Sequence, residues 1–243
     1  MGKIIGLAGI LAALSALCYV GLTAAFRLDL IGVTTVFSVL GILAWALLGL
    51  GILALFMGMV GLGTRKASIG GLALDGGIAA LAAASGPVMM RVQAGEVPVI
   101  HDISTDTKYP PQFITARDIL MADQHSNTTE YNAANAPKQV EAYPNLKTVE
   151  YDKSFEEVFQ AALATVEGMG LEVIGTEENA GRIEATATTL WWGFKDDMVV
   201  RVNRFTSPVQ VDVRSSSRIG RSDLGVNAKR IETFLSKLDQ KLN

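Results

Sequence analysis

The residues best suited to binding an anion are concentrated near the carboxyl end, in the stretch VDVRSSSRIGRSDLGVNAKRI. Arg214, Arg218 and Arg221 fall within a few positions of each other, and a helix-like pattern follows them. Ser222 or Asp223 is the expected N-cap of that helix. Guanidinium groups next to the unpaired N–H groups of a helix amino terminus can together hold a phosphate or a carboxylate. The stretch therefore raises the hypothesis of an anion site.

Many acidic residues nearby offer the same arginines a structural role. Arg218 and Arg221 could pair with Asp223, Asp212 or Asp196–Asp197 and fix the loop before the helix. We favour this structural clamp, because so many carboxylates are close in sequence. The anion site is the second interpretation.

Residues for catalysis or metal binding are few. His101 and His125 are the two histidines, and the stretch HDISTD adds Asp102, Ser104 and Asp106 to the first of them. Such a set could ligate a metal or support hydrolysis, but no HExxH or GxSxG pattern accompanies it. We therefore predict no catalytic residue, no metal site and no cofactor.

The pair Trp191–Trp192 has three interpretations. It could contact a membrane surface or form a platform for a ligand, since tryptophan combines an apolar ring with a polar N–H group. A core tryptophan with an exposed neighbour is the interpretation we favour.

Three uncharged or nearly uncharged runs precede these residues: Ile4 to Phe26, Leu30 to Thr64 and Ala67 to Met90. Each is long enough for a transmembrane helix, which needs about 20 residues. A cleaved signal peptide would have an apolar region of only about 7–15 residues, so the first run is too long for one. Two passes within the second run would need about 34–40 residues and leave nothing for a turn. The lipid bilayer is therefore a predicted partner, with three crossings.

Basic residues near the membrane ends predict the orientation. Lys3 and Arg65–Lys66 fall on one side, and Arg27, partly offset by Asp29, falls with Arg91 on the other. This bias predicts a cytoplasmic amino terminus in the inner membrane. The part after the third helix would then lie in the periplasm of a Gram-negative cell.

Asp75 is the acidic residue within the third run, among several glycines. A carboxylate in hydrocarbon is costly and by default suggests a proton, ion or ligand contact. We favour a structural interpretation, in which Asp75 is hydrogen-bonded inside the bundle or lies near enough to the cytoplasmic edge to reach water.

The rest of the chain is acidic, with 16 basic and 22 acidic residues from Ala94 onward. This balance argues against nucleic-acid binding, which needs a broad basic surface. The single cysteine, Cys18, lies in an apolar run and provides no disulfide framework.

The alternation of apolar residues predicts the fold after the membrane part. Residues 94–152 contain five prolines and are predicted to be an irregular wrapping segment. Residues 153–243 open with the capping box SFEE and a helix, continue with four strands and end with a helix. We predict an α+β domain of two layers, with a four-stranded antiparallel sheet and both helices on one face. Residues 1–93 form the membrane domain.

The stretches IHDISTD, GRIEATATT, FKDDMVVRV and VDVRSSSRIGRSDLGVNAKRI together resemble a bacterial and plastid family known as domain of unknown function 1499. The resemblance covers about Val97 to Asn243, and members often carry amino-terminal membrane helices. It implies no residue roles, but it draws attention to the polar positions that match its motifs: His101, Asp102, Asp196, Asp197, Arg214, Ser217, Arg218, Ser222, Asp223 and Asn227.

Three functional hypotheses follow. The first is an inner-membrane protein with a periplasmic binding or interaction module, acting as an accessory subunit with a protein partner. The second is an extracytoplasmic enzyme or receptor for an anionic small molecule that uses His101–Asp102 and the Arg218–Arg221 turn. It requires the HDISTD segment to fold against that turn. The third is ion or proton movement through Asp75.

Overall fold

The computed structural model describes residues 2–64, 67–121 and 126–243. The chain divides into two compact units, Met1–Gln93 and Ala94–Asn243. Arg65 and Lys66, used above to predict orientation, and His125, the second histidine, lie outside the described residues.

The first unit is a bundle of three helices: α1 (Gly2–Arg27), α2 (Val33–Leu62) and α3 (Ala67–Gln93). All three are long and apolar enough to cross a membrane. The second apolar run forms one continuous helix, as predicted. Glycines allow the helix backbones to approach closely. At Gly61 a Cβ atom would lie 2.8 Å from the Cα atom of Gly70, so α2 and α3 are in contact at backbone distance.

The second unit is α+β and contains six strands. They are β1 (Asp102–Ser104), β2 (Val149–Tyr151), β3 (Glu172–Glu177), β4 (Arg182–Thr188), β5 (Lys195–Asn203) and β6 (Val209–Ser217). The helices are α4 (Thr115–Leu120), α5 (Ala136–Ala142), α6 (Phe155–Gly168) and α7 (Val226–Leu242). Every strand pairing is antiparallel, in the order β1-β6-β5-β4-β3, with β2 also on β6.

The predicted count of four strands is wrong. The two additional strands, β1 and β2, lie in the segment that we predicted to be irregular, and each has three residues. Three residues are too few to produce a recognisable alternation of apolar and polar positions. Both strands pair with β6, whose nine residues leave room for one partner at each end.

The main core lies between one face of the sheet and the pair α6 and α7. Helix α6 begins as predicted, with the Ser154 side chain accepting a hydrogen bond from the N–H group of Glu157 at 3.2 Å. Alternate residues of the three central strands point into this core, which is why the apolar alternation was visible in the sequence. Its fully buried members include Phe159, Val200, Val211, Ile231 and Phe234.

Candidate functional site

The second face of the sheet carries charged side chains that are buried, not exposed. The alternation along β6 places Asp212 and Arg214 opposite its core-facing valines, where solvent exposure is expected, but they are 3% and 0% exposed. Residues of the proline-containing segment lie over this face and make hydrogen bonds and ion pairs to it. The segment therefore adds a third layer to the domain, and polar contacts hold that layer in place.

Arg214 forms the centre of the contacts between this segment and the sheet. Its Nε and Nη2 atoms donate to the two carboxylate oxygens of Asp102 at 2.9 and 2.8 Å. Nη1 donates to the Pro111 carbonyl at 3.1 Å, and Nη2 also donates to the Thr129 carbonyl at 2.8 Å. A fully buried guanidinium with these partners holds separate parts of the segment on the sheet and has no surface to offer a ligand.

Two aromatic rings complete the enclosure of Arg214. Its guanidinium carbon lies 4.8 Å from the ring centre of Phe113 and 5.4 Å from that of Tyr131, within the range of cation–π contacts. Burial, and next the negative charge of Asp102, raise the pKa of Tyr131 to about 12. The phenol therefore stays neutral at physiological pH.

Glu184 anchors a second part of the proline-containing segment, at the start of helix α4. This carboxylate, 1% exposed, accepts hydrogen bonds from the N–H groups of Ile114, Thr115 and Ala116 at 3.0–3.2 Å. These are orphan N–H groups at the start of helix α4. The side chain of Arg182 lies 3.2 Å from the same carboxylate and balances its charge.

The basic turn contains a structural clamp, as we predicted. Arg218 donates from Nε and Nη2 to the carboxylate oxygens of Asp197 at 2.9 and 2.8 Å, and from Nη2 to Thr186 at 3.1 Å. Asp197 is one of the acids that the sequence offered as partners. Arg221 is exposed, and it has no carboxylate within ion-pair distance among residues 2–64, 67–121 and 126–243. Whether the turn also binds an anion stays a prediction.

The start of helix α7 is tied to the strands by buried polar side chains. Asn227, 0% exposed, donates from Nδ2 to the carbonyl of His101 at 2.9 Å and to the hydroxyl of Ser217 at 3.0 Å. Its Oδ1 accepts from Ser215 at 2.8 Å and from Arg230. Asn227 therefore fixes the helix against both β6 and the residue before β1.

Arg230 is a further member of this buried polar cluster, and the sequence analysis did not identify it. Its Nη2 atom pairs with Asp196 at 2.6 Å, and both side chains are less than a tenth exposed. Its spacing of three residues from Asn227, on the same side of the helix, could have indicated the contact.

Asp223 is not the predicted N-cap residue, since Gly225 occupies that position before Val226, but its side chain still satisfies N–H groups at the start of helix α7. Its two carboxylate oxygens accept from the N–H groups of Gly225 and Asn227 at 2.9 and 2.8 Å. Ser222, the other proposed cap, accepts from the Leu224 N–H group at 3.3 Å. Leu224 and Gly225 have φ angles of 55° and 82°, outside the helical region, so helix α7 starts only at Val226.

The buried carboxyl group of Asp223 is expected to make the stability of the folded protein depend on pH. Burial raises the pKa of this carboxyl, the hydrogen bonds from Gly225 and Asn227 lower it in part, and the charge of Asp196 raises it further. A raised pKa in the folded state means that the folded protein binds the proton more tightly than the unfolded chain. The resulting stability is present at low pH and is lost as pH rises through the folded-state pKa.

We therefore expect the stability of the wild type, relative to an Asp223→Asn variant, to increase as pH falls from neutral through this raised pKa. Asparagine retains the capping oxygen but cannot titrate. Urea unfolding of both proteins in mild detergent across this pH range measures the difference. If the difference in free energy of unfolding between the two proteins does not change with pH, or changes in the opposite direction, the raised pKa of Asp223 is contradicted.

The structure brings the HDISTD segment against the arginine turn, as the small-molecule hypothesis requires. The carbonyl of His101 accepts from the N–H group of Ser217 at 2.9 Å, and Asp102 is paired in the sheet with Ser216. The carboxylate of Asp102, however, is occupied by Arg214. Among the described residues, no three His, Cys, Asp or Glu side chains are grouped so that they could hold a metal ion.

Asp75 lies on the outside of the helix bundle, where it is exposed. The interpretation in which it is hydrogen-bonded inside the three-helix bundle is therefore wrong, because Gly76 and Gly77 occupy the buried side of α3 at this level. The alternative position near the membrane edge stays a prediction.

An open groove of about 540 Å³ lies on the polar face of the sheet, where β5 ends and β6 begins. This groove could not be predicted from the sequence, because its walls come from well separated parts of the chain. Its lining residues include Asp106, Tyr109, Glu150, Arg201, Arg204 and Phe205.

The floor of the groove is fixed by Arg201. Its Nη2 atom pairs with Asp212 at 2.7 Å and with Asp106 at 3.0 Å, and its Nη1 atom donates to the Tyr109 carbonyl at 2.8 Å. The nearby guanidinium of Arg204 lies 4.3 Å from the ring centre of Phe155. Charges of both signs are therefore held at defined positions beside the groove.

Two aromatic side chains of the groove are largely in solvent, with Tyr109 65% and Phe205 90% exposed. Aromatic and arginine side chains are enriched where proteins bind each other. The combination of both charges and exposed rings suits a stretch of polypeptide better than a small anion.

The chain combines three helices of membrane-spanning length with an α+β domain that has a hydrogen-bonded polar layer and an open groove. Its class is therefore that of membrane-helix proteins that carry an α+β domain. The family model described as Protein of unknown function (DUF1499) matches residues 102–238, and the chain belongs to this family. No curated protein matches the chain.

Proposed function

We propose that this protein is an integral inner-membrane protein whose family domain lies outside the cytoplasm and binds a protein partner, as an accessory subunit of a membrane or envelope complex. Three crossings would carry the domain to the side opposite the amino terminus. The basic residues near the helix ends favour a cytoplasmic amino terminus. The periplasm is then the compartment of the domain.

The groove is the observation that carries the binding role. Elsewhere on this face, the buried carboxylates of Asp102 and Asp197 are engaged with Arg214 and Arg218 of the protein itself. The groove instead presents Tyr109, Phe205 and Arg204 to solvent. Large aromatic and arginine side chains contribute most of the binding energy at protein interfaces.

Asp75 gives independent support for a partner within the membrane. If the exposed carboxylate of Asp75 lies deeper than the membrane edge, it faces lipid, where a charge is costly. A hydrogen-bond donor from another membrane protein would lower this cost.

The anionic small-molecule receptor has weaker support. His101, Asp102 and the turn are adjacent, but the guanidinium of Arg218 and the carboxylate of Asp102 already have protein partners at 2.8–2.9 Å. A ligand would have to compete with these ion pairs or depend on Arg221 alone.

Site-specific photocrosslinking in living cells tests the proposal. A photoreactive phenylalanine analogue replaces Tyr109, whose side chain is exposed at the groove. We expect a crosslinked product larger than the protein itself, with one identifiable partner. Adding the Arg204→Glu substitution is expected to reduce this product several-fold, because it reverses a charge that lines the groove.

The same analogue at Val140, which is 52% exposed and is not part of the groove lining, is the matched control. It should give no such product. Equal crosslinking from both positions, or none from Tyr109 in cells that express the protein at its natural level, would contradict partner binding through the groove.

A further inference from the structure

The turn between β4 and β5 displays two large apolar side chains. Leu190 is 93% exposed and Trp191 is 51% exposed, whereas Trp192 is 4% exposed. This agrees with the expected pattern of a core tryptophan with an exposed neighbour. An exposed leucine beside a half-exposed tryptophan forms a small apolar tip on this turn.

The tip is held in a defined conformation. The Gly193 N–H group donates to the Thr189 carbonyl at 2.9 Å, and the Phe194 N–H group donates to the Thr189 hydroxyl at 2.9 Å. The ring of Trp192 stacks on that of Phe194 with 6.0 Å between centroids. Because the loop is ordered beneath the tip, presenting the two apolar side chains costs little additional conformational entropy.

The tip lies at the end of the sheet where the chain arrives from helix α3. Asp102, the first residue of β1, is paired with Ser216, which is paired in turn with Asp197 near the start of β5. Helix α3 ends at Gln93, so residues 94–101 form the whole connection. Eight residues span at most about 26–29 Å when fully extended. The connection between α3 and β1 is therefore short.

We propose that the Leu190–Trp191 tip inserts into the headgroup region of the bilayer on the side where the domain lies. Tryptophan is enriched at membrane interfaces because its ring is apolar and its N–H group is polar. Lys195, exposed on the strand after the tip, can reach the lipid phosphates with its flexible side chain. The ligand class is the lipid surface itself.

Insertion of the tip would also orient the groove. Phe205 and Arg204 lie in the turn at the other end of β5, whose nine residues span about 30 Å. The groove would then open toward the aqueous phase, where a partner can reach it. The proposal depends on the membrane helices and the short connection, and it holds for either compartment.

Spin labelling of the full-length protein in vesicles of phosphatidylethanolamine and phosphatidylglycerol tests the insertion. Cys18→Ser removes the single cysteine, and Leu190→Cys then receives a nitroxide label. Power saturation measures the collision of the label with oxygen, which dissolves in lipid, and with a water-soluble nickel chelate. We expect the ratio of oxygen to nickel collisions at Leu190 to exceed several-fold the ratio at the control position.

The control is Phe205→Cys, which places the label on another exposed apolar residue at the opposite end of the sheet. A label at Leu190 that meets the nickel chelate as readily as one at Phe205 would overturn the proposal. Protection of Leu190 from both reagents would also overturn it, because the tip would then be covered by protein. Neither outcome affects the crosslinking test of the groove.

Discussion

Replacing Arg214 by methionine is expected to lower the free energy of unfolding of the family domain by about 3–5 kcal/mol. The substitution leaves the carboxylate of Asp102, 5% exposed, without the cation that lies 2.8 Å away. It also leaves the carbonyls of Pro111 and Thr129 without their donor. Urea unfolding in mild detergent, followed by tryptophan fluorescence, measures the change.

The matched control is Arg221→Met, since Arg221 is an exposed arginine of the same region. A surface substitution of this kind should stay within about 0.5 kcal/mol of the wild type. The double variant with Asp102→Leu and Arg214→Met removes both charges and should be more stable than Arg214→Met alone. If Arg214→Met and Arg221→Met have equal effects, the ion pair does not hold the segment on the sheet.

Gly76→Ala is expected to destabilise the helix bundle by about 1–3 kcal/mol, and by more if α1 cannot move. A Cβ atom at Gly76 would overlap the carbonyl oxygen of Gly9 and lie 3.0 Å from its carbonyl carbon. Both obstacles belong to the backbone of α1, so relief requires the two helices to separate. Thermal unfolding in detergent, followed by helical circular dichroism, measures the loss.

The control for this substitution is a second glycine of the same helix. A Cβ atom at Gly71 would meet nothing within 4 Å. Both substitutions raise the intrinsic helix propensity by the same amount, about 1 kcal/mol, so their difference isolates the contact with α1. Equal stability of Gly71→Ala and Gly76→Ala would show that α1 does not pack against α3 at this point.

The elements with a long, regular pattern could be predicted from the sequence. Helix α6 begins at the capping box, and β4, β5 and β6 follow the alternation that places one face in the core. Strands β1 and β2 could not be predicted, because three residues carry no pattern and their pairing partner is far away in sequence.

The candidate site was predictable where the partners are close in the chain. Arg218 directly follows β6 and Asp197 lies on the neighbouring strand β5, and their pairing was among the alternatives considered. Arg214 and Asp102 are separated by 112 positions, so the alternation of β6 alone does not reveal that Arg214 is buried against Asp102. The groove depends on four or more separated segments meeting at one end of the sheet, which composition and spacing do not encode.

The location of the family domain is the central claim, and a pair of reporter fusions after Asn243 tests it most directly. Alkaline phosphatase becomes active outside the cytosol, and green fluorescent protein fluoresces when it stays inside. Three membrane crossings with a cytoplasmic amino terminus predict high phosphatase activity and no fluorescence. A fluorescent fusion with inactive phosphatase would contradict the orientation and, with it, the proposed periplasmic partner.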